Sequence, residues 1–339
     1  MSLWLGILSG QISSTALQEN IAVSHQLSPF ITVYPWSSGF GTKYADPAIL
    51  PSSAGFSTAF SPSGNDLAVA HDLGPYITVY PWSSGFGTKY ADPAILPGYY
   101  GFSTAFSPSG NDLAVAHDFS PRISVYPWSS GFGTKYADPA ILPSYTGLST
   151  AFSPSGNDLA VGHRFSPYIS VYAWSSGFGT KYANPAILPS YTGLSTAFSP
   201  SGNDLAVAHG FSPYITVYPW NAGFGTKYAD PAILPFYTGL STAFSPSGND
   251  LAVAHEYAPN ITVYPWNAGF GTKYANPAIL PTGYGFSTAF SPSGNDLAVA
   301  HRLSPHITVY PWSSGFGTKY ANPAILPASY GFSTAFSPN

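Results

Sequence analysis

Seven histidines recur every 46 residues: His25, His71, His117, His163, His209, His255 and His301. Histidine is the usual general base and a common metal ligand. The spacing argues against both roles. One histidine per repeat sets the seven far apart, so no two can share a metal ion. No fixed carboxylate accompanies them, because the next residues are Gln26, Asp72, Asp118, Arg164, Gly210, Glu256 and Arg302. They read as strand-end histidines held by hydrogen bonds. The carboxylates of the Gly-Asn-Asp turns (Asp66, Asp112, Asp158, Asp204, Asp250 and Asp296, with Asn20 in the first place) read as turn residues that satisfy local backbone donors. One carboxylate per turn is too few for calcium. No GxSxG, GxGxxG, P-loop or HExxH pattern occurs. Nearly identical repeats offer no asymmetric set of acid, base and nucleophile. The expectation is a non-enzymatic protein with no cofactor and no metal.

These residues lie in a chain of 339 residues with 10 Lys+Arg, 14 Asp+Glu and a net charge of −4, which gives no electrostatic grip on nucleic acid. There is no cysteine, so disulfides and thiolate chemistry are excluded. Aromatic residues reach 17%, which excludes an ordinary disordered chain. The apolar stretch at residues 3–8 is too short to span a membrane. Residues 1–13 are read as an apolar arm and residues 14–339 as one domain.

The repeat supplies the elements. Trp36, Trp82 and their successors keep the 46-residue step, as do all seven lysines from Lys43 to Lys319. One unit predicts strands over Phe56–Ser61, Leu67–His71, Ile77–Trp82 and Thr88–Leu96, separated by Gly/Pro/Ser/Asn turns. Large side chains on one strand face and small ones on the other suit a sheet covered on both sides. A short four-stranded antiparallel sheet repeated seven times is a β-propeller. These strands are too short, and lack the polar face, for a membrane barrel. Uniform units without polar caps argue against an open solenoid. The lysines, each four residues before a proline, fall on the outermost strand, where a charge and a proline keep other strands from adding.

The run AFSPSGNDLAVAH (59–71) followed by VYPW (79–82) resembles the repeat of WD40-like propellers, especially those in bacteriophage and bacterial genomes, some of which carry GFGTKY (85–90 here). The resemblance covers about residues 14–339. It departs from the usual repeat in lacking Gly-His before the first strand and Trp-Asp after the third, so a reduced His–Trp pairing is expected instead. It implies a virion, tail or otherwise extracellular location rather than a cytoplasmic one. Ring closure is expected from the C-terminal segment 331–339, which supplies the missing first strand of the blade opened by Asn20–His25; Ser14–Leu17 competes for that slot.

The repeats differ mainly after the histidine and after the fourth strand. In an up-and-down blade both connections emerge on one face. The candidate binding residues there are Tyr76, Tyr99, Tyr100, Arg122, Tyr145, Arg164, Tyr168, Tyr191, Tyr214, Tyr237, Glu256, Asn260, Tyr284, Arg302, His306 and Tyr330. Tyrosine gives broad contact at low entropic cost. The expected partner is a protein or neighbouring copies of the chain in an assembly. The alternative is a carbohydrate, held lectin-fashion between blades by repeated residues such as Trp82, Tyr90 and Asp92.

Overall fold

The computed structural model describes residues 19–338. The proposed arm and the competing segment Ser14–Leu17 lie outside the described residues. The described chain forms seven antiparallel sheets, six of three strands and one of four. A representative blade has an inner strand Gly55–Phe60, a middle strand Asp66–His71 and a third strand Ile77–Pro81. The closing blade takes its inner strand, Gly331–Phe336, from the C-terminal end, paired antiparallel with Asn20–His25. The architecture is a seven-bladed β-propeller closed by that strand.

The sequence DLAVAH explains how blades stack. Its side chains alternate across the sheet. Leu67 and Val69 pack against Ala22, Ile31 and Val33 of the preceding blade, while Ala68 and Ala70 receive Leu113 and Val115 of the next. Large meets small, and every residue of the middle strand is buried.

Polar bridges cross the same interfaces. Asp66 Oδ1 accepts the Tyr90 hydroxyl of its own blade at 2.9 Å, and Oδ2 accepts the Trp128 indole N–H of the next blade at 3.1 Å. The turn aspartates are therefore blade-to-blade acceptors, and serine takes the local backbone donor expected of them, as Ser61 Oγ accepts the Asp66 N–H at 3.0 Å. The expected His–Trp pairing is replaced: tryptophan pairs with aspartate, and histidine with the third strand. Nearer the axis, each inner-strand serine accepts a backbone N–H from the next blade, as Ser57 does from Thr104 at 3.2 Å. Each inner strand also begins with glycine for a steric reason. A Cβ on Gly101 would meet the Tyr76 carbonyl oxygen of the preceding blade at 2.2 Å.

The outermost strand differs from expectation. Only Phe178–Lys181 forms a fourth strand among the described residues. The other blades keep an irregular strip, pinned by contacts such as the Trp82–Phe86 bridge and the Tyr90 N–H on the Val79 carbonyl at 3.0 Å. The difference tracks one residue. Proline occupies the end of the third strand in six blades and has no amide hydrogen to share, whereas Ala173 has one. On these strips Lys43, Lys89, Lys135 and Lys227 pair with the aspartates three residues on.

One blade interface departs from the pattern. Asn20 stands where the others carry aspartate, and its Oδ1 is taken by the Tyr44 hydroxyl at 2.9 Å. The Trp82 indole N–H, 62 residues on, has no partner among the described residues. Replacing Asn20→Asp supplies the missing acceptor and should raise stability by about 1 kcal/mol, whereas Asp66→Asn should lower it by about 2 kcal/mol. Denaturant unfolding checks both, and an unchanged or lowered stability for Asn20→Asp would contradict this role for the carboxylate.

Candidate functional site

The two variable connections meet on one face. Phe119 N–H donates to the Gly98 carbonyl at 2.7 Å, and Arg302 N–H to the Tyr284 carbonyl at 3.0 Å. Four of the connections after a fourth strip thus lean by backbone hydrogen bonds on the histidine loop of the next blade. Tyr76, Arg122, Tyr168, Tyr214, Asn260 and His306 share one backbone position in these loops, with φ between 65° and 76°. Their side chains divide into two groups. Arg122, Asn260 and His306 turn back and donate to the carbonyls of Asp118, Glu256 and Arg302, so they brace their own loops. Asn260 is buried, unlike the open contact residue that its place in the variable set implies. Tyr76, Tyr168 and Tyr214 instead pack beside Tyr99, Tyr191 and Tyr237. Tyr100 lies against Tyr99.

The charged residues also divide. Arg122 lies over the Tyr145 ring, and Arg302 over the rings of Tyr284 and Tyr330. Arg164 lies over no ring and reaches no carboxylate among the described residues. It lines a cavity of about 610 Å³ together with Leu148, Phe165, Tyr191, Leu194, Tyr237 and Glu256. Gly210 also lines it, between Arg164 and Glu256 in blade order. Those three occupy equivalent positions, directly after the series histidines. A cation, a gap and an anion therefore succeed one another around the rim, and the gap is where the cleft lies. The cleft takes Arg164, Tyr191, Tyr237 and Glu256 from the sequence-based set and leaves most of the rest elsewhere on the face. Gly210, Leu148, Leu194 and Phe165 were missed. Their signal was present as the one side-chain-free residue in a charged series, and as leucine replacing phenylalanine in consecutive inner strands.

The series histidines are structural. His71 Nδ1 donates to the Leu73 carbonyl at 2.8 Å, which leaves Nε2 to accept the Thr78 hydroxyl at 2.9 Å. Burial holds all seven neutral, with pKa values pushed down to about 4. The repeated residues proposed for lectin-like clefts are occupied as well. Trp82 is 4% exposed, the Tyr90 hydroxyl is on Asp66 and Asp92 is on Lys89.

No family model and no curated protein matches the chain. Solved structures do. A periplasmic gluconolactonase from Pseudomonas aeruginosa aligns at a TM-score of 0.73 and 16% identity, covering 94% of this chain and 99% of that one. Two proteins described as putative 6-phosphogluconolactonases align similarly. The one from Bacteroides fragilis has a TM-score of 0.72 and 12% identity, covering 96% of this chain and 99% of that one. The one from Bacteroides uniformis has a TM-score of 0.69 and 15% identity, covering 95% and 100%. At these identities the likeness establishes the propeller fold.

These likenesses correct two expectations. The near-identity of the repeats points to a non-enzymatic scaffold or lectin, on the ground that repeated blades cannot hold an asymmetric site. Propellers of this architecture include proteins named as lactonases, so repetition does not exclude catalysis. The repeats are also not identical where it matters for a site, since Arg164, Gly210 and Glu256 fill equivalent positions with different groups. The virion or tail association has no counterpart in these likenesses. No helix among the described residues is long and apolar enough to cross a membrane.

The histidines generate a pH prediction. Each has a native pKa near 4 against an ordinary 6.5, so the unfolded chain binds more protons between those values. Stability is therefore full above pH 6.5 and falls as pH drops toward 4. Glu19, raised to about 7 by burial and by Asp296, acts in the opposite direction, but it is one group against seven. Urea unfolding at stepped pH should show a net uptake of about five protons near pH 5. Stability that stays level from pH 6.5 to 4 would contradict neutral, buried histidines.

Proposed function

We propose that the chain hydrolyses lactones in the cleft between Arg164 and Glu256. One observation carries this reading. In a fold shared with proteins named as gluconolactonases, the cleft brings together an arginine free of other charged partners among the described residues and a half-buried glutamate, around a position without a side chain. Lactone opening needs a water made nucleophilic and a counter-charge for the carbonyl oxygen. In this reading Glu256 takes a proton from water as the water oxygen bonds to the carbonyl carbon. The Arg164 guanidinium stabilises the resulting oxyanion. Collapse of the tetrahedral intermediate breaks the ring C–O bond, and the proton on Glu256 passes to the departing alkoxide. The carboxylic acid so formed loses its own proton to solvent, and Glu256 repels the resulting carboxylate. Tyr191 and Tyr237 bound the space in which the ring sits. The periplasmic description of one structural neighbour supports placing this activity outside the cytoplasm.

The test is acid release from δ-gluconolactone and from an alkyl-substituted δ-lactone, with the spontaneous rate subtracted. The parent chain should exceed the spontaneous rate for at least one of them. Glu256→Gln should lower kcat about 100-fold, and Arg164→Met by a similar factor. Lys43→Met, on an outer strip, should leave the rate unchanged. A parent rate equal to the spontaneous one, or full activity in both cleft variants, would overturn the reading.

A further inference from the structure

The propeller axis opens on the variable face through a collar made by the second residue of each inner strand: Phe56, Phe102, Leu148, Leu194, Leu240, Phe286 and Phe332. The four phenylalanines are consecutive around the closed ring, and neighbouring rings touch. Phe56 stacks on Phe102 at 5.6 Å and meets Phe332 at 5.5 Å, and Phe332 meets Phe286 at 5.4 Å. The three leucines form the opposite arc. Two of them, Leu148 and Leu194, are also walls of the Arg164–Glu256 cleft. The cleft therefore runs into the collar on the side where the smaller residue leaves room.

Some of its polar side chains are already engaged. The Thr192 hydroxyl donates to the Arg164 carbonyl at 3.1 Å, and the Thr238 hydroxyl to the Gly210 carbonyl at 3.4 Å. The donors of both threonines are thus turned to loop backbone. Beyond Arg164, Glu256 and the tyrosine hydroxyls, the lining is Leu148, Leu194, Phe165 and Phe211, and each phenylalanine is about half exposed, at 52% and 56%. Phe211 stands 4.4 Å from Tyr191. A Cβ at Gly210 would meet Tyr191 Cδ1 at 2.9 Å, so a side chain there would displace the Tyr191 ring. An alkyl or aryl group finds two leucines and two exposed phenylalanines beside one cation.

We infer that the cleft prefers a lactone with an apolar substituent, which lies between Leu148 and Leu194 and points into the collar while the carbonyl faces Arg164. The inference rests on the proposed lactone site for its chemistry, but the preference is a binding property that can be measured without turnover.

Calorimetry with two unreactive monoanions, hexanoate and gluconate, measures it directly. Hexanoate should bind at least about tenfold more tightly than gluconate, from burial of its chain. Leu194→Phe and Leu148→Phe import the residue that four other blades already carry, and each should weaken hexanoate binding about tenfold by filling its seat. Thermal unfolding of the same samples should match the parent, which separates loss of the seat from loss of the fold. Equal or tighter binding of gluconate would overturn the inference, as would hexanoate binding indifferent to both leucine changes in folded protein. Leucine-dependent hexanoate binding with no hydrolysis of any lactone would uphold this preference and overturn the hydrolytic reading.

Discussion

A buried carboxylate that accepts from two blades at once holds the ring in register. Six aspartates, each 6–7% exposed, take a tyrosine hydroxyl from their own blade and a tryptophan N–H from the next. Apolar stacking of leucine and valine on alanine supplies non-directional attraction. It does not by itself select the angle between blades. The aspartate bridge does, because a buried acceptor or donor left unmet costs about 1–3 kcal/mol. The tyrosine hydroxyls that reach the preceding blade's isoleucine carbonyl, as Tyr80 reaches Ile49 at 2.7 Å, act in the same sense farther out. The Trp36 bond to Asp296 at 3.0 Å extends the bridge across the closure, so the ring is joined by more than its shared sheet.

That rigid repeated frame lets a few residues define a site. The interfaces and the opposite face are nearly sevenfold symmetric, and symmetric surfaces present the same group seven times. Chemistry on one substrate needs different groups at one place. Here the difference arises from equivalent positions filled differently: Arg164, Gly210 and Glu256 after the histidines, and leucine in place of phenylalanine on the inner strands. The surrounding loops are fixed by Arg122, Asn260 and His306, whose side chains close onto their own backbone. Binding groups are thus carried on connections, and the connections are stiffened by other members of the same variable set.

The period, the first three strands of each blade and closure by the C-terminal strand were legible because they follow from residue spacing and turn chemistry. The dual role of the turn aspartates was not, since the tryptophan that binds Asp66 lies 62 residues away and in the next blade. The fourth strand was over-read because a proline at the end of the third strand removes a ladder amide, an effect visible only by contrast with Ala173. The variable face was legible as a set, but loop position alone does not separate an arginine stacked on tyrosine from one left facing a cleft. The candidate cleft was hidden for the same reason: the asymmetry lies between repeats, and each repeat by itself looks structural.

A crystal structure of the chain with a bound hydroxy acid product tests the central claim most directly, that function is concentrated where the symmetry breaks. The carboxylate should lie against the Arg164 guanidinium above Gly210, at one site per chain. Product bound at repeated positions between blades, or on the turn face that carries Asn65 and its equivalents, would contradict it.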